Sequence, residues 1–189
     1  MRRLVTAPTI EPVNLDEAKD HLNVMHYEDD ALISRAISSA REQAEVFTRR
    51  VFISQTWDIS LKNLPQQGIR LFPSPVIAIE SITYVDTSGQ TQTLAADQYQ
   101  VVRDPHDPRI IPAYGVRWPA VLDHENSVTV RAAFGYGQAG DVPASIKAAI
   151  FLLVGEMYQH REETGPSNLG TLPLTSERLL WPFRDMRAQ

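Results

Sequence analysis

A chain of 189 residues, 43% of them hydrophobic, fits one domain or one domain carrying an insertion, and a globule of this size buries about 70% of its unfolded surface. The absence of cysteine excludes a disulfide framework and a thiolate metal site, and no Asn-x-Ser/Thr acceptor occurs, so a cytoplasmic origin is expected. The formal net charge of -5, with its acid read as spread along the chain, argues against tight wrapping of nucleic acid, which needs clustered Lys and Arg.

Met1-Arg2-Arg3-Leu4 is a short basic start with no apolar stretch behind it of signal-peptide length. Asn14-Leu15-Asp16-Glu17 has the spacing of a capping box and predicts a helix over Leu15–Leu22. Carboxylates at Glu28, Asp29 and Asp30 precede Ile33, Ile37, Ala40, Ala44, Phe47 and Val51, whose spacing of three and four predicts a long amphipathic helix over residues 30–50. From residue 53 the period changes to two. Strands are expected at Gln55–Leu61, 69–72, Val76–Val85, 90–94, Tyr99–Val102, 109–111 and 127–134, with Asp86-Thr87-Ser88-Gly89 turning a hairpin.

Pro143 suits a first helical turn, and Ile146, Ile150, Leu153, Val154, Met157 and Tyr158 predict a second long, broadly apolar helix ending near Glu163. Its apolar run, residues 148–154, is far short of the about 20 residues a membrane span needs, so no membrane partner is expected. Thr175 to Trp181 reads as a two-turn helix stopped by Pro182. Such a piece is unstable alone, so Leu179, Leu180, Trp181 and Phe183 must dock on this chain or on a neighbour. The layout is α+β: a small helical bundle with an inserted antiparallel β module and a C-terminal arm. The expected parts are an N-terminal helical part at 1–52, the β module at 53–135, a long buried helix at 136–164, and the loop and docking arm at 165–189.

No motif carries chemistry. Gly135-Tyr136-Gly137-Gln138-Ala139-Gly140 matches GxGxxG, but Pro143 starts the helix after the last glycine, and no second parallel strand with its acidic residue follows. The segment reads as a flexible exit from the sheet, so no cofactor is expected. The histidines at 21, 26, 106, 124 and 160 show no i, i+4 pair, and Asp104-Pro105-His106-Asp107-Pro108 and Asp123-His124-Glu125 read as loop chemistry, not metal ligands. There is no GxSxG elbow or P-loop, Ser34, Ser38 and Ser39 lie on a polar helix side, and Glu162-Glu163 are neighbours that project apart. Arg49 and Arg50 are read as favouring a helix C-terminal dipole.

Several stretches together resemble the head-tail connector, or adaptor, family of long-tailed bacteriophages and gene transfer agents. They are Leu15-Asp16-Glu17-Ala18-Lys19-Asp20-His21-Leu22, Asp29-Asp30-Ala31-Leu32-Ile33, Gln55-Thr56-Trp57 and Ile82-Thr83-Tyr84-Val85-Asp86. Pro112-Ala113-Tyr114-Gly115, Trp118-Pro119, Val128-Thr129-Val130, Gly135-Tyr136-Gly137, Val142-Pro143-Ala144-Ser145-Ile146-Lys147 and Leu179-Leu180-Trp181-Pro182-Phe183-Arg184 continue the pattern. The resemblance implies a non-enzymatic subunit of a homo-oligomeric ring, a dodecamer, that binds portal protein and extends the DNA channel to a stopper or tail protein. DNA would pass without sequence-specific binding, in a virion or gene transfer agent particle assembled in the bacterial cytoplasm. A tail-side stopper or terminator is the alternative, and a nucleotide-binding oxidoreductase resting on the glycine-rich bend a more distant one. Arg178, Leu179, Leu180, Trp181, Phe183 and Arg184 are expected to form the portal-binding arm, and deletion of residues 175–189 to leave a folded monomer.

Overall fold

The computed structural model of the protein describes residues 1–104, 107–160 and 173–186. Two units form. One joins Met1–Pro8 to Ser54–Tyr136 and holds the strands with one short 3-10 turn at Ala96–Gln98; the other joins Thr9–Ile53 to Gly137–Gln189 and holds the α-helices.

In the helical unit, α1 (Leu15–Leu22) starts as its sequence dictates: Asn14 Oδ1 accepts from the Glu17 N–H at 2.8 Å, and Glu17 Oε2 accepts from the Asn14 N–H at 2.9 Å. Asn23, at φ 56°, ends it. The second helix, α2 (Asp30–Thr48), buries Ile33, Ile37, Ala40 and Ala44, the stripe its periodicity predicts, and ends with Arg49 in the left-handed region at φ 57°. Arg41 is buried on this helix because carboxylates meet it: its Nε donates to Glu11 at 2.7 Å and its Nη1 to Glu45 at 2.9 Å. Burial pushes the Glu45 carboxyl above its ordinary value, although the Phe52 N–H and Arg41 pull the other way. Helix α3 (Ala144–Gln159) packs Ile146, Ala149, Ile150, Leu153 and Val154 inward, and Tyr158 at its end donates to Asp29 at the start of α2 at 2.6 Å. Helix α4 (Leu174–Leu180) lies against α3, with Leu180 fully buried. The expected end of the long helix near Glu163, the Glu162-Glu163 pair and the loop from Gly165 to Leu172 lie outside the described residues.

The β unit has two antiparallel sheets. The larger has the order β1-β2-β8-β4-β5, built from β1 (Arg2–Thr6), β2 (Gln55–Leu61), β4 (Val76–Val85), β5 (Thr91–Thr93) and β8 (Val128–Phe134). Strand β8 is its centre, pairing in full register with β2 and, across two irregularities, with β4; its Val128, Val130, Ala132 and Phe134 alternate into the core. The predicted hairpin forms between β4 and β5, with the Asp86 carboxylate accepting from the Ser88 and Gln90 N–H groups across its turn. The smaller sheet has the order β3-β7-β6, from β3 (Ile69–Arg70), β6 (Tyr99–Val102) and β7 (Arg109–Pro112). Gly68 opens β3 at φ +96°; a Cβ there would lie 2.7 Å from the Ile110 carbonyl oxygen and 2.8 Å from Ile111 Cγ2, so only glycine fits.

One boundary differs from the sequence expectation. Residues 1–52 were expected to be a helical part, but Arg2–Thr6 pairs with β2, Arg2 opposite Ile59 and Leu4 opposite Trp57, so the chain's first residues belong to the β unit. The pairing spans more than fifty residues of sequence, and nothing local in Arg2-Arg3-Leu4-Val5-Thr6 marks it. What fixes it is Asp58, a buried carboxylate that takes Arg131 Nε and Nη2 at 2.7 and 3.0 Å from one side and Arg3 Nη2 at 2.9 Å from the other. The hydrogen bond from Arg131, then that from Arg3, hold Asp58 down at about 2, against the opposing effect of burial.

Candidate partner-docking surface

The arm's geometry begins at the C-terminal end of α2, whose last carbonyls need partners from beyond the helix. The backbone returns to meet them: the Asp185 N–H donates to the Thr48 carbonyl at 2.8 Å, and Arg50 Nε donates to the Phe183 carbonyl at 2.5 Å. Arg50 therefore ties the arm down, a role beyond the dipole contact its position suggested. Arg184 lies 5.1 Å from the centre of the Phe47 ring and 5.3 Å from that of Trp181, and the two rings are 6.3 Å apart.

These ties divide the six predicted arm residues. Leu180 points into the helical unit's own core with no exposure, so it is not available to a partner. Leu179, Phe183 and Arg184 are half-buried, Arg178 is exposed, and Trp181 shows 52% of its surface. Val46 on α2 and Leu174 and Met186 in the arm, at 77, 71 and 67% exposure, add apolar surface that the sequence reading did not single out. Trp181 and Arg184 are the residue types that dominate protein interfaces, and a guanidinium beside two rings is already held in place.

The glycine-rich bend has a different use. Asp141 turns back so that its carboxylate accepts from the Gln138 N–H at 2.9 Å, and that oxygen lies 2.7 Å from where a Cβ on Gly137 would be. The chain's own anion thus occupies the bend, and α3 begins only at Ala144; a carboxylate there repels a phosphate. Among the described residues no group of three His, Asp or Glu side chains is placed to hold a metal ion, and no helix is long and apolar enough to cross a membrane. Pro105 and His106 of the considered acidic loop lie outside the described residues; Asp104 accepts from the Asp107 N–H at 3.1 Å, a turn contact.

Charge is not spread as the linear reading held. The β unit carries eight basic and eight acidic residues, and the helical unit ten basic and fifteen acidic, so the whole excess of acid sits in the helical unit.

Residues 12–100 match the profile of the phage gp6-like head-tail connector proteins. Over that stretch, which is less than half of its length, the chain resembles the head-tail connector family. The matched stretch takes in α1, α2, strands β2 to β5 and the start of β6, and leaves out β1 and the arm. Chains of similar fold occur in a virion of a native gene transfer agent particle (TM-score 0.81, 24% identity), in the neck of an empty particle computed with C6 symmetry (0.79, 25%) and in the neck of a native particle computed with C12 symmetry (0.78, 25%). Each likeness covers 100% of this chain and 97% of the other, arm included. No curated protein matches the sequence.

Proposed function

We propose that this chain works as a head-tail connector, one subunit of a closed ring at the head-tail neck of a virion or gene transfer agent particle, bound to portal protein on one side and to a stopper or tail protein on the other. The observation that carries this reading is the whole-chain likeness to neck chains, one of them from a neck computed with C12 symmetry. A ring of unlike contacts needs two different patches on each copy, and a chain made of a neutral β unit and an acidic helical unit offers them. In this reading the protein acts by shape and surface and transforms no substrate, and DNA passes it without sequence-specific binding.

The contact with portal runs through exposed Trp181 and Arg178 with half-buried Phe183 and Arg184, while Leu180 holds the arm to the bundle. Deleting residues 175–189 would strip that buried leucine from the core, so point variants are the sharper test. Trp181→Ala with Arg184→Ala is expected to weaken portal binding by about tenfold or more while thermal unfolding shifts by only a few degrees. Leu180→Ala is expected to lower stability by about 2–4 kcal/mol. Unchanged portal affinity in the Trp181/Arg184 variant, measured by interferometry, refutes the arm assignment and leaves the ring to be judged by electron microscopy.

A further inference from the structure

On the outer face of the three-stranded sheet the register sets Arg70 directly across from Arg109, and Arg109 across from Val102, with Gln100 and Ile111 opposite one another one step along. Two cations facing each other across strands repel. Among the described residues Asp107 lies near both, 3.8 Å from Arg70 Nε and 3.4 Å from Arg109 Nη1. The arginine side chains stay 82% and 44% exposed, so the face keeps an excess positive charge around half-buried Val102 and Ile111. An apolar centre with a polar, solvent-accessible rim is the anatomy of a protein interface.

The complement is carried by the same chain's helical unit. From residue 11 to residue 34 there are seven carboxylates and one Lys or Arg, Lys19. That lysine is buried, with its Nζ 2.6 Å from Asp30 and over the Tyr27 ring. Asp16, Asp20 and Glu28 remain exposed beside Met25 and Tyr27, which show 90 and 81% of their surface. Two acidic helical units repel when brought together, whereas an acidic unit against the positive face of a neutral one does not.

We propose that the Arg70/Arg109 face receives the α1–α2 surface of a neighbouring copy, with Asp20 and Glu28 against the two arginines and Met25 and Tyr27 against Val102 and Ile111. The occupant rests on the ring reading above. Because the two patches differ, each copy offers one to the copy before it and the other to the copy after it.

A chain without cysteine gives disulfide trapping a clean background. Glu28→Cys and Arg109→Cys leave Asp20 and Arg70 in place. The double variant is expected to oxidise to a ladder of multimers, and a mixture of the two single variants to dimers holding one of each. Either single variant alone stays monomeric, and trapping falls several-fold between about 50 and 500 mM salt. Homodimers of Glu28→Cys, or no trapping in the mixture, overturn the pairing. So does DNA binding that Arg70→Glu with Arg109→Glu abolishes, which assigns the face to nucleic acid instead. Rings seen by electron microscopy without trapping sink the surface and spare the ring, whereas trapping that stops at dimers spares the surface and sinks the ring.

Discussion

Asp58 shows how one side chain fixes an arrangement that no local pattern reveals. Its carboxyl is held at about 2 by Arg131 and Arg3, whereas in the unfolded chain it titrates near about 4. The stability this contributes is fully present above about pH 4 and is lost as pH falls through about 2. Discounted for the solvent-exposed ends of both arginines, Asp58→Asn is expected to cost about 1 kcal/mol at pH 7, with the gap to the parent chain closing between pH 4 and 2 in urea titrations. A gap of the same size at pH 2 and pH 7 would assign the loss to packing. The sequence displayed Asp58 as one residue of an alternating strand; its partners, 55 and 73 residues away, could not be read there. The residues proposed for docking were singled out for the opposite reason. Trp181 and Arg184 sit in a segment too short to stand alone, which the sequence states outright, while the burial of Leu180 depends on α3 and appears only in the fold.

At the scale of elements, legibility follows the distance over which a signal acts. Helices α1 and α2 carry their start signals and apolar stripes within their own residues, and α1 came out with its predicted bounds. The Asn14 box is local enough to test in isolation: Asn14→Ala is expected to destabilise the protein by about 1 kcal/mol, read as a shift of the denaturation midpoint with an unchanged m-value. A changed m-value would mean that more than a cap was lost. Strands β2, β4 and β8 were legible because each is long and β-branched, and the turn at Asp86 announced its hairpin. Strand β1 was not, since five exposed residues with two arginines have no buried face to declare. The further role of Arg50 could not be read in the sequence, because the carbonyl it holds belongs to Phe183, 133 residues away.

For the whole molecule, the partition of charge bears on the proposed passage of DNA. A neutral β unit and an acidic helical unit supply too few clustered cations for tight binding. Fluorescence anisotropy at about 0.15 M salt is expected to show weak DNA binding with a shallow salt dependence, and a steep slope with tight affinity would refute a channel wall along which DNA slides. The class of fold and the succession of helices, strands and arm were legible as soon as periodicity was read along the chain. The interleaving of the two units was not, because it depends on where residues 1–8 go. That interleaving has a consequence for biosynthesis. On the ribosome α1 and α2 emerge long before α3, and although they pack on each other, their buried faces are completed only when the segment beginning at Gly137 follows. The strands, by contrast, have every residue they need once Tyr136 has left the exit tunnel. At about 5–20 residues per second, the nascent helices wait several seconds with Ile33 and Ile37 uncovered, an interval in which a chaperone that shields apolar stripes would find its substrate.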